Sequence, residues 1–249
     1  MKRAWFEEWK NTLPCFKSNT TKNGQKMAKT FSILGFIFIL LSCSEQTPPK
    51  LPFLGNPDLV YKEVDGKTIV DTIFPVIPTF SFLNEDSIHV TNKDFKNRVW
   101  VVEFFFATCP TICPIMNTQL KSLNQETAQM KDHIQFLSFS INPKHDTPSV
   151  LKQYKKDHGI SSSNWSFLTG NEAETHRLGI EHFLTFAGRD DEAAGGYAHS
   201  GSFTLVDKSG HVRGVYAVTN PDLTVNKQEY QRLKTDLLNL LTYEYNVSK

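Results

Sequence analysis

The pattern of hydrophobic and polar positions predicts a series of strands and helices between residues 78 and 243. Runs of β-branched and aromatic side chains predict strands, whereas apolar positions that recur every three or four residues predict helices. The predicted strands are 78–83, 88–90, 98–106, 134–141, 165–168, 202–206 and 212–218. The predicted helices are 114–130, 147–158, 172–178 and 225–243.

The order of these elements indicates the fold class. Residues 98–106 (RVWVVEFFF) are nearly continuous in β-branched and aromatic side chains, which predicts a strand buried on both faces at the centre of a sheet. The predicted strands and helices alternate before a hairpin and a closing helix. This order is typical of an α/β domain with a mixed sheet. We therefore expect a thioredoxin-like α/β domain, in which a central mixed β-sheet is flanked by helices.

The N-terminal region has the charge and hydropathy of an export signal. Residues 1–26 contain six basic and two acidic side chains, and residues 31–41 (FSILGFIFILL) are almost entirely apolar. This run is too short to span a membrane but has the length of the apolar part of a signal peptide. The sequence LLSC that ends at Cys43 resembles the bacterial lipobox, which implies cleavage and lipidation at Cys43. The alternatives are an unlipidated secretory signal and a short buried helix.

These observations divide the chain into three parts. Residues 1–43 are interpreted as a leader with a lipoprotein-type signal peptide, and Met27 is a candidate for the true start of translation. Residues 44–58 contain four prolines and few large apolar side chains, which predicts a flexible tether. Residues 59–249 form the folded domain. We expect this domain to face the periplasm of a bacterial cell envelope, held to a membrane by lipid on Cys43.

Composition and charge narrow the class of function. The 249 residues contain 27 basic and 26 acidic side chains, for a formal net charge of +1. A near-neutral chain has no electrostatic footprint for nucleic acid, so we expect no nucleic-acid partner. Four cysteines in a chain of this length do not make a disulfide-rich scaffold.

Two of the cysteines, Cys109 and Cys113, lie where the predicted central strand ends and a helix begins. Sites in open α/β sheets lie at the carboxyl ends of strands. A spacing of four on a starting helix would place both sulfurs on one face, and the positive helix end would lower the pKa of Cys113. Such a pair can bind a soft ion such as Cu(I) or close as a disulfide. Core packing, a structural disulfide and a redox-active dithiol remain alternatives, although redox dithiols usually have two intervening residues and this pair has three.

The segment VVEFFFATCPTICPIMNTQL around the cysteine pair resembles the signature of the Sco/SenC family, which comprises thioredoxin-fold proteins of cytochrome c oxidase assembly. Further blocks match in the same order, and the resemblance covers roughly residues 80–241. These blocks are PTFSFLNEDSIHVTNKDFKNRVWVV, SFSINPKHDTPSVLKQYKKDHG and AHSGSFTLVDKSGHVRGVY.

The resemblance implies a copper site and a role. Carried over residue by residue, the implied ligands of Cu(I) or Cu(II) are Cys109, Cys113 and His199. The implied function is a metallochaperone that delivers copper to the CuA-bearing subunit of cytochrome c oxidase, with other copper chaperones or thiol reductants as further partners. The protein would then need no catalytic turnover. The alternative is an enzyme, a thiol-disulfide oxidoreductase with Cys109 and Cys113 as its redox-active pair, acting on cysteines of the oxidase subunit or other extracytoplasmic proteins.

Overall fold

The computed structural model describes residues 48–247, which form eleven strands and four α-helices. The strands are β1 (Asp58–Val64), β2 (Lys67–Ile73), β3 (Ser81–Asn84), β4 (His89–Thr91), β5 (Val99–Phe105), β6 (Ile134–Ser140), β7 (Trp165–Thr169), β8 (Ala187–Arg189), β9 (Tyr197–His199), β10 (Ser202–Val206) and β11 (Val212–Ala217). The helices are α1 (Cys113–Glu126), α2 (Pro148–Asp157), α3 (Glu172–Arg177) and α4 (Lys227–Asn239). The leader, the proposed lipidation site Cys43 and Cys15 lie outside the described residues.

Seven of the strands make one mixed sheet in the order β11-β10-β5-β6-β7-β3-β4. The three strands β5, β6 and β7 are parallel, whereas β10, β11, β3 and β4 each run antiparallel to a neighbour. The parallel strands are linked by α1 and α2, as a parallel connection requires a long crossover. The prediction of a thioredoxin-like α/β domain with a central mixed sheet is confirmed.

The centre of the sheet is buried as its sequence predicts. Every residue of β5 and of β6 is buried, as expected for parallel strands at the centre of a sheet that is covered on both faces. Aromatic side chains fill the space between layers; the rings of Phe104 and Phe139 stack with centroids 5.4 Å apart. This rigid core fixes where β5 ends, and the cysteine loop begins there.

Helix α1 follows the cysteine loop and starts at Cys113. Pro114 lies in its first turn, where the missing N–H costs no helical hydrogen bond. Met116, Leu120 and Leu123 recur along one buried face and hold the helix against the sheet. The helix is shorter than predicted, because it ends at Glu126 and residues 128–133 form a separate 3₁₀ segment.

A buried arginine fastens the first described residues to the domain. The guanidinium of Arg213, on β11, donates to Asp207 Oδ2 at 3.1 Å and to Glu244 Oε2 at 2.9 Å. It also donates to the carbonyls of Leu51 and Pro52. The segment of residues 51–54 therefore lies against the body of the domain, although its sequence was interpreted as part of a flexible tether.

Strands β1 and β2 form a separate two-stranded ribbon that the sequence analysis did not predict. They are antiparallel and joined by a two-residue turn, Asp65 and Gly66, whose φ values are 52° and 72°. Positive φ at both positions is the geometry of a type I′ turn, for which Asp-Gly is a preferred sequence. Nearly every residue of both strands is exposed.

None of the helices within residues 48–247 is long and apolar enough to cross a bilayer.

Candidate metal centre

The cysteine loop leaves β5 and turns back before α1. The amide of Cys109 donates to the carbonyl of Phe106 at 3.1 Å, and this turn places Cys109 in the loop rather than in the helix. The expectation that both sulfurs share a helical face was therefore wrong, because the helix begins only at Cys113. Cys109 and Cys113 are both buried and both are free thiols.

His199 reaches the same place from another part of the chain. It is the last residue of β9, which pairs with β8 so that Ala187 lies opposite His199. The turn between these strands includes Gly195 at φ 90°, where an added Cβ would lie 2.8 Å from the Phe106 ring. Glycine thus allows the β8–β9 hairpin to approach the start of the cysteine loop closely.

Two side-chain contacts outside the centre hold the β8–β9 hairpin in position. Arg189 Nε donates to Glu172 Oε1 at 2.6 Å and so ties β8 to α3. The hydroxyl of Tyr197 donates to Asn142 Oδ1 at 3.2 Å and so ties β9 to the segment after β6. The position of His199 is therefore set by these neighbours as well as by its own strand.

The structure brings Cys109, Cys113 and His199 together. The Nε2 atom of His199 lies 3.1 Å from Cys113 Sγ and 4.0 Å from Cys109 Sγ. All three potential ligand atoms lie within 4.8 Å of one another. The Phe106 ring meets the imidazole edge-on, with centroids 6.1 Å apart, and closes one side of the centre.

The two thiols are electrostatically unequal. A hydrogen bond from the Cys113 thiol lowers the pKa of Cys109, and a hydrogen bond from His199 acts in the same direction. Burial raises the pKa of Cys113, and the neighbouring Cys109 thiolate raises it further. The expectation of a lowered pKa at Cys113 was wrong, because desolvation outweighs the helix N-terminus there. Of the two thiols, Cys109 is therefore the one whose pKa is lowered.

A buried carboxylate forms a hydrogen bond with the backbone at the start of the cysteine loop. Asp146 is fully buried, and its Oδ2 accepts from the Ala107 amide at 3.0 Å and from the Ser140 hydroxyl at 2.6 Å. Its Oδ1 lies 2.7 Å from His145 Nδ1. The sequence analysis missed Asp146, because an aspartate before Thr-Pro has the appearance of an ordinary helix start. Its bond to Ala107 fixes the backbone two residues before Cys109.

The remaining histidines among the described residues do not join this centre. His176 Nε2 lies 2.9 Å from the Ile141 carbonyl, and His158 packs against Tyr154 with ring centroids 4.0 Å apart. His145 bonds to Asp146, as described above. The others are His89, His133, His182 and His211.

A second buried carboxyl lies within β5. Glu103 is fully buried; its Oε1 accepts from the Ser138 hydroxyl at 2.6 Å, and its Oε2 has no partner among the described residues. Burial raises the pKa of Glu103 to about 7, although the bond from Ser138 opposes the shift. A carboxyl whose pKa is higher in the folded state binds its proton more tightly there than in the unfolded chain.

We expect Glu103→Gln to change how stability depends on pH. Stability of the parent protein should fall as pH rises from about 4 to 7, because Glu103 is ionised in the unfolded chain over this range and must take up a proton when folding buries it. The variant should lack this slope and be more stable at pH 8 by on the order of 3 kcal/mol. Urea unfolding of the metal-free protein across this pH range measures the difference, with the exposed Glu192→Gln as control. An unchanged slope in Glu103→Gln would contradict the assignment.

A family model described as SCO1/SenC matches residues 72–232, which is well over half of the chain. The chain belongs to the SCO1/SenC family. The resemblance seen in the sequence is thereby confirmed.

Two curated relatives of this SCO1/SenC chain are informative. The SCO1 protein homolog of Bacillus subtilis is 30% identical over 148 residues, covering 59% of this chain and 76% of the relative. A protein of Stutzerimonas stutzeri whose name describes copper binding is 29% identical over 141 residues, covering 55% of this chain and 67% of the relative.

Solved structures show the same SCO1/SenC architecture. A SCO1/SenC family lipoprotein from Bacillus anthracis is 30% identical with a TM-score of 0.58, covering 66% of this chain and 94% of that one. BsSco, described as a member of the Sco family of cytochrome c oxidase assembly proteins with a disulfide switch, is 28% identical with a TM-score of 0.56, covering 68% of this chain and 94% of that one.

Proposed function

We propose that this chain is a copper metallochaperone, which carries copper on Cys109, Cys113 and His199 and delivers it to the CuA site during assembly of cytochrome c oxidase. The observation that carries the proposal is the convergence of two sulfurs and one imidazole nitrogen within 4.8 Å at the end of the central strand. Copper is the cargo of the protein, and its delivery is an exchange of ligands between two proteins.

The donor set supports copper over the hard divalent ions. Thiolate ligands select soft ions such as Cu(I), and imidazole is compatible with both copper oxidation states. Three donors suit trigonal Cu(I), whereas Cu(II) would take an additional donor. The pKa of Cys109 is lowered by its neighbours, whereas the buried Cys113 thiol must release its proton when a metal binds. Binding therefore requires the reduced pair.

The relatives support the same proposal. The Stutzerimonas stutzeri relative is named for copper binding, and BsSco is described within a family of oxidase assembly proteins. The CuA-bearing subunit is the proposed recipient, because its site must be loaded with copper during assembly. The two thiols could instead exchange a disulfide with cysteines of that subunit, and BsSco is described with a disulfide switch.

The test is metal analysis of the protein, reduced and handled without oxygen. We expect stoichiometric copper in the parent protein and none in the double variant Cys109→Ala with Cys113→Ala. Mixing the loaded protein with the copper-free CuA-bearing subunit should move copper to that subunit. Failure of the parent protein to bind copper, or tight copper in the double variant, would refute the proposal. Electron exchange with the subunit without copper transfer would favour the oxidoreductase alternative.

We expect Asp146→Asn to weaken copper binding although Asp146 is not a proposed ligand. Asparagine has one acceptor oxygen in place of two, so it can keep the bonds from Ala107 and Ser140 only by turning its amide nitrogen toward His145 Nδ1. The negative charge that supports this network is lost in either orientation. Loss of an outer-shell contact typically lowers metal affinity by about 10- to 100-fold. Competition against a Cu(I) chelator measures the affinity.

The control for that experiment is Ser140→Ala, which removes one bond to Asp146 and one from the Asn142 amide and leaves the bond from Ala107 to Asp146 intact. We expect this control to lower stability by about 1 kcal/mol and to keep near-normal copper affinity. Asp146→Asn with unchanged copper affinity would assign Asp146 a purely structural role.

Anchoring to the cell envelope is part of the same proposal. The apolar run at residues 31–41 and the lipobox-like sequence ending at Cys43 support a lipid anchor with the domain facing the periplasm. Mass spectrometry of the mature N-terminus is expected to find lipid on Cys43, and Cys43→Ala should release the protein from membranes. A mature protein that begins at another residue and carries no lipid would overturn this part.

A further inference from the structure

The β1–β2 ribbon exposes apolar side chains that nothing in the described chain covers. Six of them have exposed fractions between 46% and 67%. An isolated two-stranded hairpin is only marginally stable in water, and clustered exposed apolar side chains mark interaction surfaces. The six are Leu59, Tyr61, Val64, Ile69, Val70 and Ile73.

The register of the ribbon determines which backbone groups are free. Val64 pairs with Lys67 across the two-residue turn, so these two residues exchange both of their hydrogen bonds. Hydrogen-bonded and non-hydrogen-bonded pairs then alternate along the strands. It follows that the amides and carbonyls of Leu59, Tyr61 and Glu63 point outward, along the free edge of β1. A free edge of this kind is a template for another strand.

We propose that this edge pairs antiparallel with β1 of a second copy of the chain, with the two-fold axis at Val60. Leu59 then lies opposite Tyr61 of the second copy, and each such pair consists of two residues with outward backbone groups. Asp58 lies opposite Lys62 of the second copy. Leu59, Tyr61 and Val70 of both copies share one face of the resulting four-stranded sheet, because residues 59 and 61 alternate with 58, 60 and 62.

Charge complementarity selects this register. Asp58 has no ion-pair partner among the described residues, whereas Lys62 Nζ already lies 2.7 Å from Asp71 of its own chain. In the proposed pair, Lys62 lies between Asp71 and the second copy's Asp58, and opposite charges directly across strands are stabilising. A shift of this register by one residue would place residues with outward backbone groups opposite residues whose groups already bond to β2. If the register instead shifts by two residues toward the turn, Glu63 lies opposite Leu59 of the second copy. Both ion pairs between Asp58 and Lys62 are then lost.

The other edge of the ribbon is less suited to this role. The outward residues of β2 are Thr68, Val70 and Thr72, which offer less apolar surface than Leu59 and Tyr61. Because only a few residues pair, the buried area is well below the roughly 1,200–2,000 Å² of stable interfaces. We therefore expect a weak dimer, with a dissociation constant of about micromolar or above.

Charge reversal tests the pairing. The full-length chain, with Cys15 and Cys43 replaced by serine, is purified in mild detergent and followed by sedimentation velocity over a range of concentrations. Asp58→Lys and Lys62→Asp should each weaken self-association by roughly tenfold, since like charges then face each other in both symmetric pairs. An equimolar mixture of the two variants should associate at least as well as the parent, because a chain with two positive positions then faces a chain with two negative ones.

The matched control is Asp132→Lys, which makes the same change of net charge at an exposed position outside the ribbon and should leave association unchanged. Circular dichroism checks that each variant is folded. The proposal is overturned if the parent stays monomeric up to about millimolar concentration, or if the mixture associates no better than its separate components.

A cross-linking arm tests the position of the two-fold axis. Val60→Cys should form a disulfide-linked dimer under mild oxidation, because directly opposed Cα atoms of a non-hydrogen-bonded pair are about 4.5 Å apart, within disulfide reach. Ile69→Cys, on β2, should not cross-link. Cross-linking at Ile69 and not at Val60 would show that the copies meet through β2, which contradicts the proposal.

Discussion

Replacing Cys113 with serine is expected to lower the affinity of the protein for Cu(I) by more than about a hundredfold, the upper loss seen when only an outer-shell contact is removed. Serine has nearly the same shape, but its hydroxyl is a hard donor that stays protonated, whereas Cu(I) selects thiolate. Cys113 is buried at the first residue of α1, 3.1 Å from His199 Nε2, so no solvent-exposed donor easily replaces it. Competition against a Cu(I) chelator, without oxygen, measures the change.

Histidine variants supply the controls for this result. His199→Ala should also weaken binding, by a smaller factor for Cu(I), because two thiolates still remain. His89→Ala, at an exposed position on β4, should leave the affinity unchanged. If Cys113→Ser kept the parent affinity, copper would have to bind elsewhere in the chain.

Arg213→Ala is expected to destabilise the fold by about 3–5 kcal/mol, because removal of one member of a buried ion-pair network leaves the other charges uncompensated. The side chain of Arg213 is 3% exposed and contacts the carboxylates of Asp207 and Glu244. It also holds the carbonyls of Leu51 and Pro52, so the variant should free this segment. Urea unfolding measures the first effect, and protease cleavage near residues 51–54 measures the second.

Two further variants separate charge from geometry in that cluster. Arg213→Lys keeps the charge but cannot donate to several groups at once, so we expect an intermediate loss. Arg232→Ala removes an arginine that is 45% exposed and pairs with Glu229, and it should cost less than about 1 kcal/mol. A loss for Arg213→Ala as small as that for Arg232→Ala would contradict the buried network.

Local sequence predicts the centre of this fold well. Residues 98–106 are so rich in β-branched and aromatic side chains that they have few alternatives to a central strand, and β5 lies there. The ribbon was missed although Asp65-Gly66 between alternating strands is a strong hairpin signal, since Asp-Gly favours the type I′ turn. That signal would have identified β1 and β2.

The candidate centre, too, could be predicted from the sequence only in part. Cys109 and Cys113 are identified by their place at the end of a strand, whereas His199 was identified through its resemblance to a family motif. The unequal thiols and the role of Asp146 depend on burial, which only the folded chain determines. For that reason the helix-end argument gave the wrong direction for the pKa of Cys113.

The division of the centre between two chain segments has a mechanical consequence. His199 and Cys113 are separated by 86 positions in sequence and lie on elements that are fastened independently. A metal held by both would act as a removable cross-link, closing a long loop in the manner of a disulfide and reducing the freedom of the unfolded chain. Loaded and empty forms would then differ in rigidity around the β8–β9 hairpin, and a recipient protein could tell them apart before any ligand is exchanged.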